Sequence, residues 1–283
     1  MQRVIIFLVA ITFLFACELN DKQKDEKSSV VASITDSSVI ITYSKTDEII
    51  EDELSETEYN IEEEAKPLSG IISKSGNIGA ERGTIEDEDE ALKLRRARTE
   101  FNNGVTYYKQ GELDKAIESY KSSLEYKPDN DIAFHNLGKI YYDLGQKQLS
   151  MSYYKDAIRI NSTDSLSLVA IGLLYYENGN MKDAVRYYNQ CIDVAPKFSM
   201  PYFNRGTLFG QQKNYQLAID DLTKAIQYDN QNSEAYINRG LAYFYLKQMD
   251  IACNDWHKAA VMGNPKGTQA VDIYCSGKGK EKK

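Results

Sequence analysis

Four asparagines stand at intervals that are multiples of 34 residues: Asn102, Asn136, Asn204 and Asn238. A primary amide carries two donors and an acceptor, so a row of them can hold a peptide backbone whatever side chains that backbone bears. Groups for harder chemistry are scarce. The chain has only 2 histidines, His135 and His257, and neither stands in a metal-ligand spacing or beside paired cysteines. No glycine-rich phosphate loop and no nucleophile elbow occurs. Neighbouring carboxylates such as Asp220 and Asp221 fall on helical stretches and read as solvated faces. The residue types therefore point to recognition rather than to an enzyme, and they imply no cofactor and no metal. A net charge of −8 without a basic stripe argues against nucleic acid.

The elements that would hold such a row repeat with it. Five units start at Ala97, Asp131, Ser165, Ser199 and Ser233, giving spans 97–130, 131–164, 165–198, 199–232 and 233–266. Their eighth residues are Gly104, Gly138, Gly172, Gly206 and Gly240. Their eleventh are Tyr107, Tyr141, Tyr175, Phe209 and Tyr243, and their twenty-fourth Tyr120, Tyr154, Tyr188, Leu222 and Trp256. Small residues fill the twentieth position (Ala116, Ser150, Ala184, Ala218, Ala252) and the twenty-seventh (Ser123, Ala157, Cys191, Ala225, Ala259). Leu113, Ala116, Ile117, Tyr120 and Leu124 form the stripe of an amphipathic helix. Gly111, Gly145 and Gly179 fall where two helices must turn, while the last two units place Lys213 and Lys247 there. Asp131, Ser165, Ser199 and Ser233 are expected to cap helix starts. One helix pair cannot bury its apolar stripe alone, whereas stacked pairs can.

This pattern resembles the tetratricopeptide repeat over residues 97–266. The resemblance implies an all-α fold: a right-handed superhelical solenoid of five helix-turn-helix repeats. Residues 267–276 are expected to form a helix that caps the last apolar face, and 277–283 a polar tail. In this family the first helix of each unit lines a concave face, with positions 2, 5, 6, 9, 12 and 13 directed into it. The resemblance thus places the asparagine row at position 6, interrupted by Ala170. It adds Tyr108, Tyr142, Tyr176 and Phe244 at position 12, and His135 and Phe203 at position 5. His135 is read as groove lining and His257 as surface or packing. Arg205 and Arg239 depart from the family by occupying a seventh position that is usually apolar. The lysine and asparagine clamp that binds chaperone C-termini is missing: Phe101, Val105, Leu166 and Ala170 replace its members, although Asn136 remains. A carboxylate-terminal ligand is not implied.

The chain begins with Arg3 and an uncharged run from Val4 to Ala16. Such a run spans about 20 Å as a helix, short of the ~30 Å hydrocarbon core, and reads as a signal-peptide core. Leu14-Phe15-Ala16-Cys17 resembles the bacterial lipobox, which implies a leader at 1–16 and lipidation of Cys17. An ordinary cleaved signal is the alternative. Glu18, in place of Asp, favours the outer over the inner membrane. From residue 17 to 90 the chain is strongly acidic, and residues 91–283 are net basic, which marks a boundary near 90. The acidic segment reads as a disordered tether, with one β-branched stretch at residues 28–45 that could form a short strand. A solvated spacer and an acidic docking segment are both compatible with it.

Four cysteines complete the reading. Cys17 is assigned to lipid and Cys191 to a core slot. Cys253 and Cys275 are expected to pair and staple the cap to the fifth unit, as an envelope compartment permits. The resulting expectation is a membrane-anchored scaffold in the cell envelope that binds a protein segment in its groove. The alternatives are an accessory subunit of an envelope enzyme or transport complex and a self-associating structural module.

Overall fold

Each unit folds as a hairpin of two helices in a computed structural model that describes residues 85–275. The pairs are α1 (Ile85–Lys109) with α2 (Leu113–Tyr126), α3 (Asp131–Asp143) with α4 (Lys147–Ile160), and α5 (Ser165–Glu177) with α6 (Met181–Val194). They continue with α7 (Ser199–Gln211) and α8 (Tyr215–Tyr228), then α9 (Ser233–Tyr245) and α10 (Met249–Val261). A short α11 (Pro265–Ala270) and a π-helical turn (Val271–Cys275) end the described chain. No strand occurs among the described residues. The leader, Cys17, the tether up to residue 84 and residues 276–283 lie outside them.

Inside each hairpin the twenty-fourth side chain lies on the eighth residue. Tyr120, Tyr154, Tyr188 and Trp256 are at most 2% exposed. A Cβ built on Gly138 would stand 2.7 Å from Tyr154 Cδ1, and one on Gly240 2.6 Å from Trp256 Nε1. The ring therefore requires a bare backbone beneath it. Each hairpin then turns through one residue with positive φ. Gly111, Gly145 and Gly179 take it at 72–76°, and Lys213 and Lys247 adopt the same turn at 64°. Cys191 fills its core slot, buried, with Sγ 3.3 Å from the Ser165 carbonyl.

Several local expectations need correction. The helix caps lie one residue earlier than Asp131, Ser165 and Ser233. Asn130 accepts from the Ala133 amide at 3.1 Å, Asp164 from those of Leu166 and Ser167, and Asn232 from that of Ala235. Phe198 precedes α7 and supplies no side-chain cap. Helix α1 starts at Ile85, so it crosses the tether boundary placed at 90. The cap begins at Pro265, with Asn264 accepting from the Lys266 amide at 3.0 Å, and widens into the π turn. Cys253 and Cys275 are disulfide-bonded, with their Cα atoms 5.7 Å apart, which ties that turn to α10.

Asp221 is also not solvated. It is 6% exposed, and the Arg205 guanidinium grips it with two bonds of 2.7 Å. Arg239 holds Asp255 in the same way, at 2.8 and 2.7 Å. Each arginine also reaches back to the preceding hairpin, Arg205 to Asn189 and Arg239 to Thr223 Oγ1. The second and third repeats place apolar residues and rings in the corresponding slots. Tyr141 stacks on Tyr153 with centroids 5.2 Å apart, and Tyr175 on Tyr187 at 5.4 Å. One seam is thus filled by two chemistries.

Candidate peptide-binding site

The first helices meet one another through side chains from one repeat to the next. Tyr108 Oη donates to Asp143 Oδ2 at 3.3 Å, Tyr142 Oη to Glu177 Oε1, and Tyr176 Oη to Gln211 Oε1 at 2.9 Å. Each bond joins position 12 of one repeat to position 13 of the next. The carboxylates have second partners, Lys139 for Asp143 at 3.3 Å and Lys147 for Glu177 at 2.8 Å. These three tyrosines are half-buried, so their rings keep surface while their hydroxyls tie the helices together.

The four asparagines do not share one environment. Asn102 is exposed, and no hairpin precedes α1 among the described residues. Asn136 is 6% exposed and donates to Tyr120 Oη, the ring of the preceding hairpin, at 3.2 Å. Asn238 faces Leu222 at that slot, which offers no hydroxyl, and it donates instead to Thr207 Oγ1 at 3.0 Å. Asn204 is 3% exposed, and neither its Oδ1 nor its Nδ2 finds a partner in the chain.

Position 5 is interior. Phe203 belongs to the core shared by the last two repeats. His135 does not line an open groove: it is 5% exposed, wedged between α3 and α5. Its Nδ1 lies 2.8 Å from Ser167 Oγ and 3.8 Å from Asp164 Oδ2, and its Nε2 has no partner. Burial pushes its pKa below the ordinary histidine value, against the pull of Asp164. Phe244 is half-buried, packed 5.9 Å from the Trp256 ring and 5.0 Å from that of Tyr274. His257 is exposed, with Nδ1 2.7 Å from the Cys253 carbonyl.

Two features escaped the sequence reading. The inward positions of α5 (Val169, Ala170 and Leu173) are buried, so the middle repeat presents little polar chemistry. Gly210 stands at position 12 of the fourth repeat, where the first three have tyrosine. That signal was visible in the register. Among the described residues no group of three or more His, Cys, Asp or Glu is arranged to hold a metal, and no helix is long and apolar enough to cross a membrane.

Comparison with known families agrees with the hairpin register. A TPR repeat model matches residues 104–145, and a tetratricopeptide repeat model matches 132–164, 166–198 and 201–232. The first four units match tetratricopeptide repeat models. Solved TPR-like structures share the fold at low identity. MamA protein is 21% identical with a TM-score of 0.52, over 63% of this chain and 95% of that one. YrrB, described as a TPR protein with an unusual peptide-binding site, is 17% identical with a TM-score of 0.52, over 66% and 95%. Pseudomonas aeruginosa pilF is 16% identical with a TM-score of 0.56, over 65% and 90%. No curated protein matches the chain.

Proposed function

We propose that this TPR chain is a lipid-anchored scaffold that holds a protein segment on the face of its first helices, within a complex of the cell envelope. The observation that carries the reading is Asn204. A buried amide with no partner costs about 1–3 kcal/mol. Ala170 fills the same slot in the third repeat, so packing alone does not require an amide there. A peptide backbone would satisfy both its donor and its acceptor once the packing over the amide opens, since both atoms are shut from solvent in the unbound chain. The tyrosine ladder supports the same role, because a face already cross-linked between repeats has little left to order on binding. The resemblance in fold to YrrB is compatible with it.

The anchor is proposed from Cys17 and its preceding residues. Several acyl chains give stable attachment where one chain is marginal. Cells fed an alkyne fatty acid should label the chain, and Cys17→Ser should abolish the label; a labelled Cys17→Ser protein would remove the anchor from the proposal. For binding, the full-length chain and Asn204→Ala would be cross-linked in the envelope and their adducts compared. An adduct lost in Asn204→Ala at unchanged melting temperature supports the role. Identical adducts from both would count against this face.

A further inference from the structure

We infer that the start of α1 is a docking surface for the chain's own acidic segment, residues 47–64, which straps the open end of the repeat array. The first hairpin is unequal. Ser123 Oγ of α2 donates to the Ala97 carbonyl at 2.9 Å, and the Arg96 guanidinium lies 5.8 Å over the ring of Tyr126, the last residue of α2. The stretch of α1 ahead of Arg96 therefore has no residue of α2 opposite it. Residues 91–96 are all exposed, with Leu92 at 46% and Leu94 at 44%. Lys93, Arg95, Arg96 and Arg98 put four cations into six residues of the same helix.

These arginines differ from the others in the array. Arg159, Arg186, Arg205 and Arg239 each lie within 3.5 Å of a carboxylate. Arg95, Arg96 and Arg98 have no carboxylate partner among the described residues. For Arg95 and Arg98 the spacing explains it. No acidic residue stands three or four positions from either, the separations at which helical side chains meet. Residues 47–64 carry the complement: ten Asp or Glu, no Lys, Arg or His, and apolar Ile49, Ile50, Leu54, Tyr59 and Ile61. The carboxylates supply the forked partners that guanidinium groups prefer, and the apolar side chains cover Leu92 and Leu94. Exposed ion pairs are individually weak and screened by salt. Residues 65–92 alone separate the two stretches, which gives the segment an effective concentration on the order of millimolar. Weak pairs then suffice. An anionic lipid surface attracts the same cations but repels the carboxylates attached to them.

The test measures the binding of a fluorescent synthetic peptide of residues 47–64 to the full-length chain in non-ionic detergent, by anisotropy. A full-length variant whose own ten carboxylates in that segment are changed to Asn and Gln leaves the surface uncovered. It should bind the peptide about tenfold more tightly than the parent chain, whose surface is already occupied. Added sodium chloride should weaken that binding. Placing Arg95→Gln and Arg98→Gln in the uncovered chain, which leaves Arg96 on its ring, should abolish binding at an unchanged melting temperature. Arg98→Gln alone, with a partial loss, serves where the double variant melts lower. Equal binding by the parent and the uncovered chain would overturn the strap, as would binding that ignores both arginines. Phosphatidylglycerol vesicles that bind the Cys17→Ser chain through Arg95 and Arg98, where the peptide does not bind, would overturn it and assign the surface to lipid.

Discussion

Two buried polar side chains, Asn204 and His135, carry consequences that can be measured one residue at a time. Asn204 has no partner to lose, so Asn204→Ala should leave urea-unfolding stability unchanged or raise it by about 1 kcal/mol. Asn136→Ala, which strands the buried Tyr120 hydroxyl, should lose about 1–3 kcal/mol. The contrast separates an amide kept for a partner from one kept for the fold. His135 predicts a pH dependence. Its folded pKa is depressed by burial, so between the unfolded value near 6.5 and the lower folded value the unfolded chain binds more protons. Stability is fully present above about pH 6.5 and falls as the solution is acidified through that window. The faces around it are Asp164 and Asp131, which favour the charge, and Lys139, which opposes it. Urea titrations at several pH values should show a slope that His135→Gln flattens; an unchanged slope would assign it elsewhere. Burial also pushes the Cys191 thiol up to about 12, so it should resist alkylation in the folded chain.

At the scale of the helix pair, the seam between position 7 and position 23 sets the largest single-site costs. Asp221→Ala leaves the Arg205 guanidinium, 19% exposed as a side chain, without its carboxylate, and should cost about 3 kcal/mol in chemical unfolding. The double variant Arg205→Leu, Asp221→Tyr installs the pair found as Leu137 and Tyr153 in the second repeat. It should recover most of that loss, and the coupling is read from a double-mutant cycle. Additive losses would show that the two seams are not interchangeable. This pairing is legible in principle, since Arg205–Asp221 and Arg239–Asp255 share the spacing of 16, whereas a carboxylate on a helix, taken alone, reads as solvated. The repeat itself was legible, because glycine recurs at the eighth position of every unit, under an aromatic ring in four of them, and a turn glycine recurs in the first three. The caps were displaced by one residue because Asp131, Ser165 and Ser233 are plausible caps that happen to follow better-placed ones. The early start of α1 was missed because an acidic run reads as tether until the helix dipole is weighed. Which asparagines keep a free amide was not readable, since Asn136 and Asn204 both follow a hairpin with tyrosine at the twenty-fourth position and only side-chain placement separates them.

The molecule as a whole is an array in which each hairpin packs on its neighbours, so stability is expected to vary along it. The ends differ. At the start, Thr99, Asn103 and Thr106 of α1 are exposed and polar, while the far end is covered by α11 and the π turn, held by the disulfide. Closing a loop across a sequence separation of 22 is worth about 3 kcal/mol in the chain-entropy account. Reduction should therefore release the cap first. Hydrogen exchange should speed up in α10, α11 and the π turn and stay unchanged in α3 and α4. Uniform acceleration along the chain would mean that the repeats unfold as one unit.

The two seams also record how such an array can lengthen. A stepwise path from the tyrosine pair to the Arg–Asp pair passes through a repeat with one buried charge and no partner, a defect of several kcal/mol. Copying a hairpin that already holds both charges avoids that intermediate. The fourth and fifth repeats share the Arg–Asp pair and the left-handed lysine turn, while the second and third share the stacked rings and the glycine turn. The chain thus carries two kinds of hairpin side by side, and Asn204, with its neighbouring Gly210, lies where the second kind begins.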